Sequence, residues 1–196
     1  MSGTLDIAAA RADIESTEDM FLRAMKLSGI VTALFKKRGI PLVVVGGSAV
    51  EFYTLGGYMS GDIDFCRRSL KGPSLRLIKD ILEPLGGKCV GRNWLVCGLF
   101  VDLLGIVETE TYKDFVSIET PYGEVAMIPP ELALVERIFY SLDCEECVAS
   151  AKQMMASAIS DENFDWAEAE RLADLPDFKV LKELVAMKKE MLSCGT

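Results

Sequence analysis

The segment from Leu42 to Phe65 constrains the fold of this chain more than any other part of its 196 residues. It begins with an apolar run that stops at Gly46, and it ends with two aspartates that alternate with apolar side chains. An apolar run closed by glycine is typical of a buried strand that enters a turn, and strict alternation is typical of another strand. The sequence therefore predicts a strand, a glycine turn with a short helix over 49–55, and a second strand that carries two acids.

The polar groups of this segment predict two kinds of binding. The first backbone N–H groups of a helix have no partner within the helix, so the turn at Gly46, Gly47 and Ser48 would offer a phosphate site. Side chains alternate along a strand, so Asp62 and Asp64 would project from the same face. Mg²⁺ binds one or two carboxylates together with the oxygens of a phosphate. The segment is thus predicted to bind a metal and a phosphorylated ligand.

A third acid, Asp102, lies within the otherwise apolar run FVDLL. A charge inside an apolar strand is costly unless it has a partner or a metal. With this residue added, the sequence resembles the nucleotidyltransferase superfamily of the polymerase-β type, in particular the small bacterial enzymes of abortive-infection and toxin–antitoxin systems. The motifs cover 42–104, with a looser match to about residue 140. The resemblance implies an α+β fold, a mixed β-sheet flanked by helices with a helical C-terminal region.

The resemblance also implies an activity, the transfer of a nucleoside monophosphate from an NTP such as ATP to a hydroxyl group. The acceptor would be a small molecule, a protein or an RNA end. The resemblance also suggests that the reaction belongs to a toxin–antitoxin pair or to phage defence. Asp62, Asp64 and Asp102 would be catalytic and would hold Mg²⁺ or Mn²⁺, with Asp102 as a ligand or as the proton acceptor. Gly46, Gly47 and Ser48 would hold the phosphates. The alternative is a catalytically silent protein of the same fold that binds a nucleotide or a partner as a regulator.

Charge is divided unevenly along the chain, whose formal net charge is −9. Residues 36–92 contain ten Lys or Arg and five Asp or Glu, a net charge of +5. A cationic region suits a triphosphate, because its charge exceeds what one metal ion neutralises. Arg67 and Arg68, which directly follow the paired acids, are predicted to bind the nucleotide. Lys71, Arg76 and Arg92 are outer candidates.

Residues 143–177 have the opposite balance, with two basic and ten acidic residues. Affinity for nucleic acid depends mainly on contacts to phosphate, so this region argues against binding of extended RNA or DNA. We interpret it either as a solvated helical surface or as a docking face for a basic protein partner. The chain has no histidine, which excludes His-based catalysis.

The chain is expected to divide into an N-terminal helical segment over 1–40 that packs on the core, an α/β core over 41–130 and a helical region over 131–196. The first segment would contain one long amphipathic helix over 17–38, capped by Ser16 or Thr17. No apolar run approaches the roughly 20 residues that span a membrane, and no signal-peptide pattern is present. We therefore expect a cytoplasmic protein.

Overall fold

The computed structural model describes residues 6–107 and 115–194, which form two compact units. The first unit comprises 6–45, 61–107 and 115–127, and the second comprises 46–60 and 128–194. In chain order, the described elements are α1 (Ile7–Ser16), α2 (Met20–Lys36), β1 (Leu42–Val44), α3 (Gly46–Tyr53), β2 (Asp62–Arg67), α4 (Leu75–Leu82), β3 (Lys88–Val90), β4 (Asn93–Val96), β5 (Leu99–Ile106), β6 (Val116–Thr120), β7 (Gly123–Met127), α5 (Pro130–Ser141), α6 (Glu145–Ser160), α7 (Trp166–Ala173) and α8 (Leu181–Cys194).

The described strands form one mixed sheet in the first unit, in the order β3-β4-β5-β2-β1-β7-β6. Strand β1 is antiparallel to β2 and parallel to β7, β2 is parallel to β5, and the remaining pairs are antiparallel. Apolar side chains of the central strands are almost fully buried, among them Val43, Val44, Ile63, Phe65 and Val101. The predicted α+β fold with a mixed sheet is confirmed.

The first unit also contains α1, α2 and α4. Helix α2 corresponds to the predicted long helix, but its N-cap is Asp19, whose carboxylate accepts the N–H of Leu22 at 2.8 Å. The sequence analysis did not predict α1. Its cap is Asp6, which accepts the N–H groups of Ala8 and Ala9. The prediction that Ser16 or Thr17 caps the long helix was wrong, because a separate helix occupies the chain just before it.

Gly29 provides a test of how α2 packs on the β6–β7 hairpin. A Cβ atom at this position would lie 1.9 Å from Oγ1 of Thr120, which donates a hydrogen bond to the carbonyl of Gly123 at 2.6 Å. We expect Gly29→Ala to destabilise the protein by about 1–3 kcal/mol through overpacking, although alanine favours helix. Urea denaturation would measure this, with Gly105→Ala as the control because its Cβ would meet no atom within 4 Å. A Gly29→Ala variant as stable as wild type would contradict the close packing of α2 on Thr120.

The second unit consists of α3 and the C-terminal helices α5–α8. Hydrogen bonds tie α3 to its neighbours: the hydroxyl of Ser157 donates to the carbonyl of Tyr53, and the hydroxyl of Tyr53 donates to the carbonyl of Ile128 at 2.7 Å. The three consecutive segments expected from the sequence stay a prediction, and the two compact units interleave along the chain. The N-terminal helices belong with the sheet, and 46–60 belongs with the C-terminal helices, because α3 packs on α5 and α6. Within the described residues, no helix combines the length and the apolar character needed to cross a membrane.

Candidate active site

The pairing of β2 with β5 brings the three predicted aspartates to one face of the sheet. Asp64 is the direct register partner of Asp102 in this parallel pair, and Asp62 pairs with Phe100. Register partners on adjacent strands point to the same face and lie about 5 Å apart, and residues two apart on a strand lie about 7 Å apart. Asp62, Asp64 and Asp102 therefore form a compact acidic group on the first unit.

One cation lies beside this group. Nε of Arg92 is 3.7 Å from Oδ2 of Asp102, and the Arg92 side chain is 84% exposed. Arg92 lies in the two-residue turn between β3 and β4, while Asp102 is only 7% exposed as a residue. Arg92, one of the outer candidates named from the sequence, lies ten residues before Asp102 in the chain. The antiparallel pairing of β4 with β5 brings Arg92 close to Asp102.

The acidic group fits Mg²⁺ or Mn²⁺ in its chemistry and in its backbone placement. All of its donors are carboxylate oxygens, the ligands that hard divalent cations prefer. Among the side chains of 6–107 and 115–194, however, no three acidic, cysteine or histidine groups already converge as a metal cluster. Asp102 is instead directed to Arg92. Binding of a metal would therefore require rotation of these side chains, with no change in the strands.

The predicted phosphate-binding residues begin α3 in the second unit. Gly46 has a φ of +63°, in the left-handed region that favours glycine. A Cβ on Gly47 would lie 2.9 Å from Oγ of Ser60 and 3.5 Å from the ring of Tyr58, so the loop after α3 packs closely on the first helical turn. Ser48 is 1% exposed. In this conformation a ligand reaches the Ser48 hydroxyl only after neighbouring residues move.

Glu51 is a residue of this region that the sequence analysis missed. It is 3% exposed, and its Oε2 accepts the backbone N–H of Ser60 at 2.9 Å. The carboxylate therefore holds the loop that covers Gly47. The sequence feature that could have indicated this role is a single acid between the apolar residues Val50 and Phe52, since a charge at a buried helical position needs a polar partner.

The structure does not bring Arg67 or Arg68 to the acidic group. Arg67 lines a cavity together with Phe65, on the strand face opposite Asp62 and Asp64, and its Nε donates to the carbonyl of Ser69 at 3.1 Å. Arg68 follows β2, and its guanidinium lies 4.4 Å from the centre of the Phe115 ring. Adjacency in sequence placed these residues near the acids, but the alternation and the length of β2 separate them.

Comparison with known proteins bears on the fold. No protein-family model matches the sequence, and no curated protein shows significant similarity to it. The structure is similar to the crystal structure of an antigenic nucleotidyltransferase-like protein from Paracoccidioides brasiliensis, with a TM-score of 0.51 and 11% identity over 85% of this chain and 92% of that chain. The chain has the nucleotidyltransferase fold. The fold expected from the motif resemblance is thus confirmed.

Two further solved structures have lower TM-scores. One is ANT(2″)-Ia in complex with adenylyl-2″-tobramycin, with a TM-score of 0.48 and 18% identity over 85% of this chain and 98% of that chain. The other is the Megavirus polyadenylate synthase, with a TM-score of 0.44 and 14% identity over 80% of this chain and 36% of that chain. A nucleotidyltransferase fold can serve several functions, so the activity has to be argued from the site itself.

Proposed function

We propose that this chain is a metal-dependent nucleotidyltransferase that moves a nucleoside monophosphate from an NTP to a hydroxyl acceptor. The main support is the parallel register of β2 and β5, in which Asp64 pairs with Asp102 while Asp62 projects from the same face. An acidic group of this kind repels a free triphosphate, so a nucleotide would bind beside it together with a divalent metal. The fold of the chain is consistent with this activity.

The three aspartates have different roles in the proposed reaction. Asp62 and Asp64 would hold Mg²⁺ or Mn²⁺, which would neutralise charge on the triphosphate. The acceptor oxygen attacks the α-phosphorus, the bond between the α-phosphorus and the bridging oxygen breaks, and pyrophosphate leaves. Asp102 either shares in holding the metal or accepts the proton of the acceptor hydroxyl. Positioning and electrostatic stabilisation suffice for such a reaction, which needs no histidine.

The backbone of Gly46 and Gly47 and the hydroxyl of Ser48 are proposed to hold the β- and γ-phosphates. The support is the eight-residue helix α3 that begins at Gly46, since N-terminal N–H groups and the helix dipole favour an anion. The close packing of Ser60 on Gly47 implies that the loop held by Glu51 opens when a nucleotide binds. We leave Arg67 and Arg68 out of the nucleotide site, because neither lies beside the acids.

The setting of the reaction is proposed from the sequence alone. A toxin–antitoxin or phage-defence role follows from the motif resemblance, and a basic protein partner follows from the acidic residues of 143–177. A cytoplasmic location also remains a prediction. The acceptor stays within the three classes named above, a small molecule, a protein or an RNA end.

Transfer of label from the nucleotide to an acceptor tests this proposal. The protein would be incubated with Mg²⁺ and each of the four NTPs, labelled at either the α- or the γ-phosphate, and with pooled acceptors of the three classes. We expect α-label to become attached to an acceptor and γ-label to appear in pyrophosphate. Attachment of the γ-label instead would identify a kinase and contradict the proposal.

Arg92 is expected to assist nucleotide binding rather than to maintain the fold. Its side chain is 84% exposed and its guanidinium lies 3.7 Å from the nearly buried Asp102 carboxylate, and a pair so open to solvent on one side contributes about 0–1 kcal/mol to stability. If Asp102 turned toward a metal, the guanidinium would be available to a phosphate oxygen. We expect Arg92→Gln to weaken triphosphate binding about tenfold, equivalent to about 1.4 kcal/mol, at unchanged thermal stability. Calorimetry would measure the affinity, and Lys79→Gln, which removes an exposed cation from α4, is the control. Equal effects of the two variants would contradict a specific role for Arg92.

A further inference from the structure

A small cavity of about 130 Å³ lies at the end of the sheet where β1 begins and β2 ends. Its polar lining comes from Thr32 and Lys36 of α2, Arg68 after β2, Ser117 of β6 and Glu124 of β7. Arg68 comes four residues after Asp64, the nearest of the three acids along the chain, which corresponds to about 13 Å of extended strand. The cavity is therefore separate from the acidic group, although both belong to the first unit.

The buried hydroxyl of Thr32 is the first indication that this cavity binds a ligand. The residue is 4% exposed, and its Oγ1 is buried without a hydrogen-bond partner among the described residues. Leaving a buried hydroxyl unsatisfied costs about 1–3 kcal/mol, so such a group calls for a specific explanation. Ser28, one turn earlier on α2, has a similarly buried hydroxyl but does not line the cavity. Because Oγ1 itself is closed to solvent, a ligand in the cavity would satisfy Thr32 once its side chain rotates toward the cavity that the residue lines.

Two cations supply the second sign. The guanidinium carbon of Arg68 lies over the Phe115 ring, 4.4 Å from its centre, and this contact holds the cation in place beside the cavity that it lines. Nζ of Lys36 lies 4.0 Å from Oε2 of Glu124, and both side chains are largely exposed. An ion pair at this distance contributes little, so Lys36 can move to a stronger anionic partner at small cost.

We propose that this cavity binds a phosphate group. Arg68 and Lys36 supply positive charge, and the hydroxyls of Thr32 and Ser117 donate hydrogen bonds to the phosphate oxygens. Arg68 offers planar donors that suit a tetrahedral oxyanion, and its stacking on Phe115 reduces the entropy lost on binding. A volume of about 130 Å³ accommodates one phosphate group, whereas the rest of a nucleotide would extend beyond the cavity. The ligand is thus inorganic phosphate or the phosphate of a larger molecule whose remainder stays outside the cavity.

Phosphate titration in the absence of divalent metal tests this inference independently of the proposed transfer reaction. Inorganic phosphate and glycerol phosphate would each be added to the full chain in EDTA, with binding followed by calorimetry. We expect Arg68→Gln to reduce affinity at least tenfold and the nearly isosteric Thr32→Val to reduce it several-fold. Lys37→Gln is the matched control, because Lys37 is exposed beside Lys36 and does not line the cavity. Circular dichroism would verify that each variant is folded.

The outcomes separate the possible sources and sites of binding. Tighter binding of glycerol phosphate than of inorganic phosphate would identify the ligand as part of a larger molecule, and the reverse would identify the free ion. Both results support the site. The inference is overturned if wild type binds neither compound, if Lys37→Gln weakens binding as much as Arg68→Gln, or if Asp64→Asn abolishes binding. The last result would assign the phosphate to the acidic group.

Discussion

Replacing Asp64 by asparagine should reduce metal-dependent nucleotidyl transfer by a factor on the order of 100–1000, comparable to the loss of one group that stabilises transition-state charge. Asp64 lies between Asp62 on its own strand and Asp102 on the neighbouring strand, so it is the central member of the acidic group. Asparagine keeps the shape of the side chain and removes the negative charge. A steady-state assay of pyrophosphate release would measure the effect once an acceptor has been identified.

The control for this variant is Asp80→Asn, which removes the same charge from an exposed position on α4. We expect Asp80→Asn to retain wild-type activity, and both variants to unfold at the same urea concentration as wild type or slightly above it. Removal of one of three neighbouring carboxylates relieves repulsion, so Asp64→Asn should not be the less stable of the two. Turnover retained by Asp64→Asn would exclude this residue from catalysis.

Replacing Glu136 by glutamine should stabilise the protein at alkaline pH. Burial raises the pKa of Glu136, on α5, to about 7, and the charge of Arg137 offsets only part of that shift. The folded protein therefore binds a proton more tightly than the unfolded chain, where the pKa lies near 4.5. The raised pKa of Glu136 stabilises the folded state fully below about pH 4.5, and this stabilisation is lost as the pH rises through about 7. A shift of this size corresponds to about 3 kcal/mol.

Urea denaturation at pH 5 and pH 8 would test this prediction. We expect Glu136→Gln and wild type to differ little at pH 5, and the variant to gain about 2–3 kcal/mol over wild type at pH 8. Glu170→Gln, which changes an exposed glutamate of α7, should show the same difference from wild type at both pH values. A Glu136→Gln variant whose advantage does not grow with pH would indicate that the Glu136 carboxyl titrates normally.

Local patterns in the sequence predicted the centre of this structure. Apolar residues over 42–45 and the alternation around Ile63 indicated β1 and β2, and the single acid in FVDLL indicated β5. These signals are local because side-chain alternation and glycine turns act within a few residues. The register of Asp64 with Asp102 could not be read in this way, since it depends on pairing between strands about 40 residues apart.

Several placements depend on non-local structure. Arg67 and Arg68 follow the paired acids in sequence, but alternation turns Arg67 to the other face and the strand carries Arg68 to the far end of the sheet. Arg92 lies beside Asp102 only through the pairing of β4 with β5. Helix α1 escaped prediction since its small alanine side chains give a weak apolar stripe. The grouping of α3 with α5 and α6 depends on packing that the sequence does not display.

Calorimetric titration with nucleotides tests the central claim most directly, because it requires no knowledge of the acceptor. Each of the four NTPs would be titrated into wild type and Asp64→Asn, with Mg²⁺ and with EDTA. We predict that wild type binds at least one NTP only when Mg²⁺ is present, and that Asp64→Asn loses this binding while Asp80→Asn keeps it. Metal-dependent binding without any transfer to an acceptor would favour a regulator that retains the nucleotide site. Absence of binding by wild type, or equal binding by Asp64→Asn, would contradict a metal-triphosphate site at the acidic group.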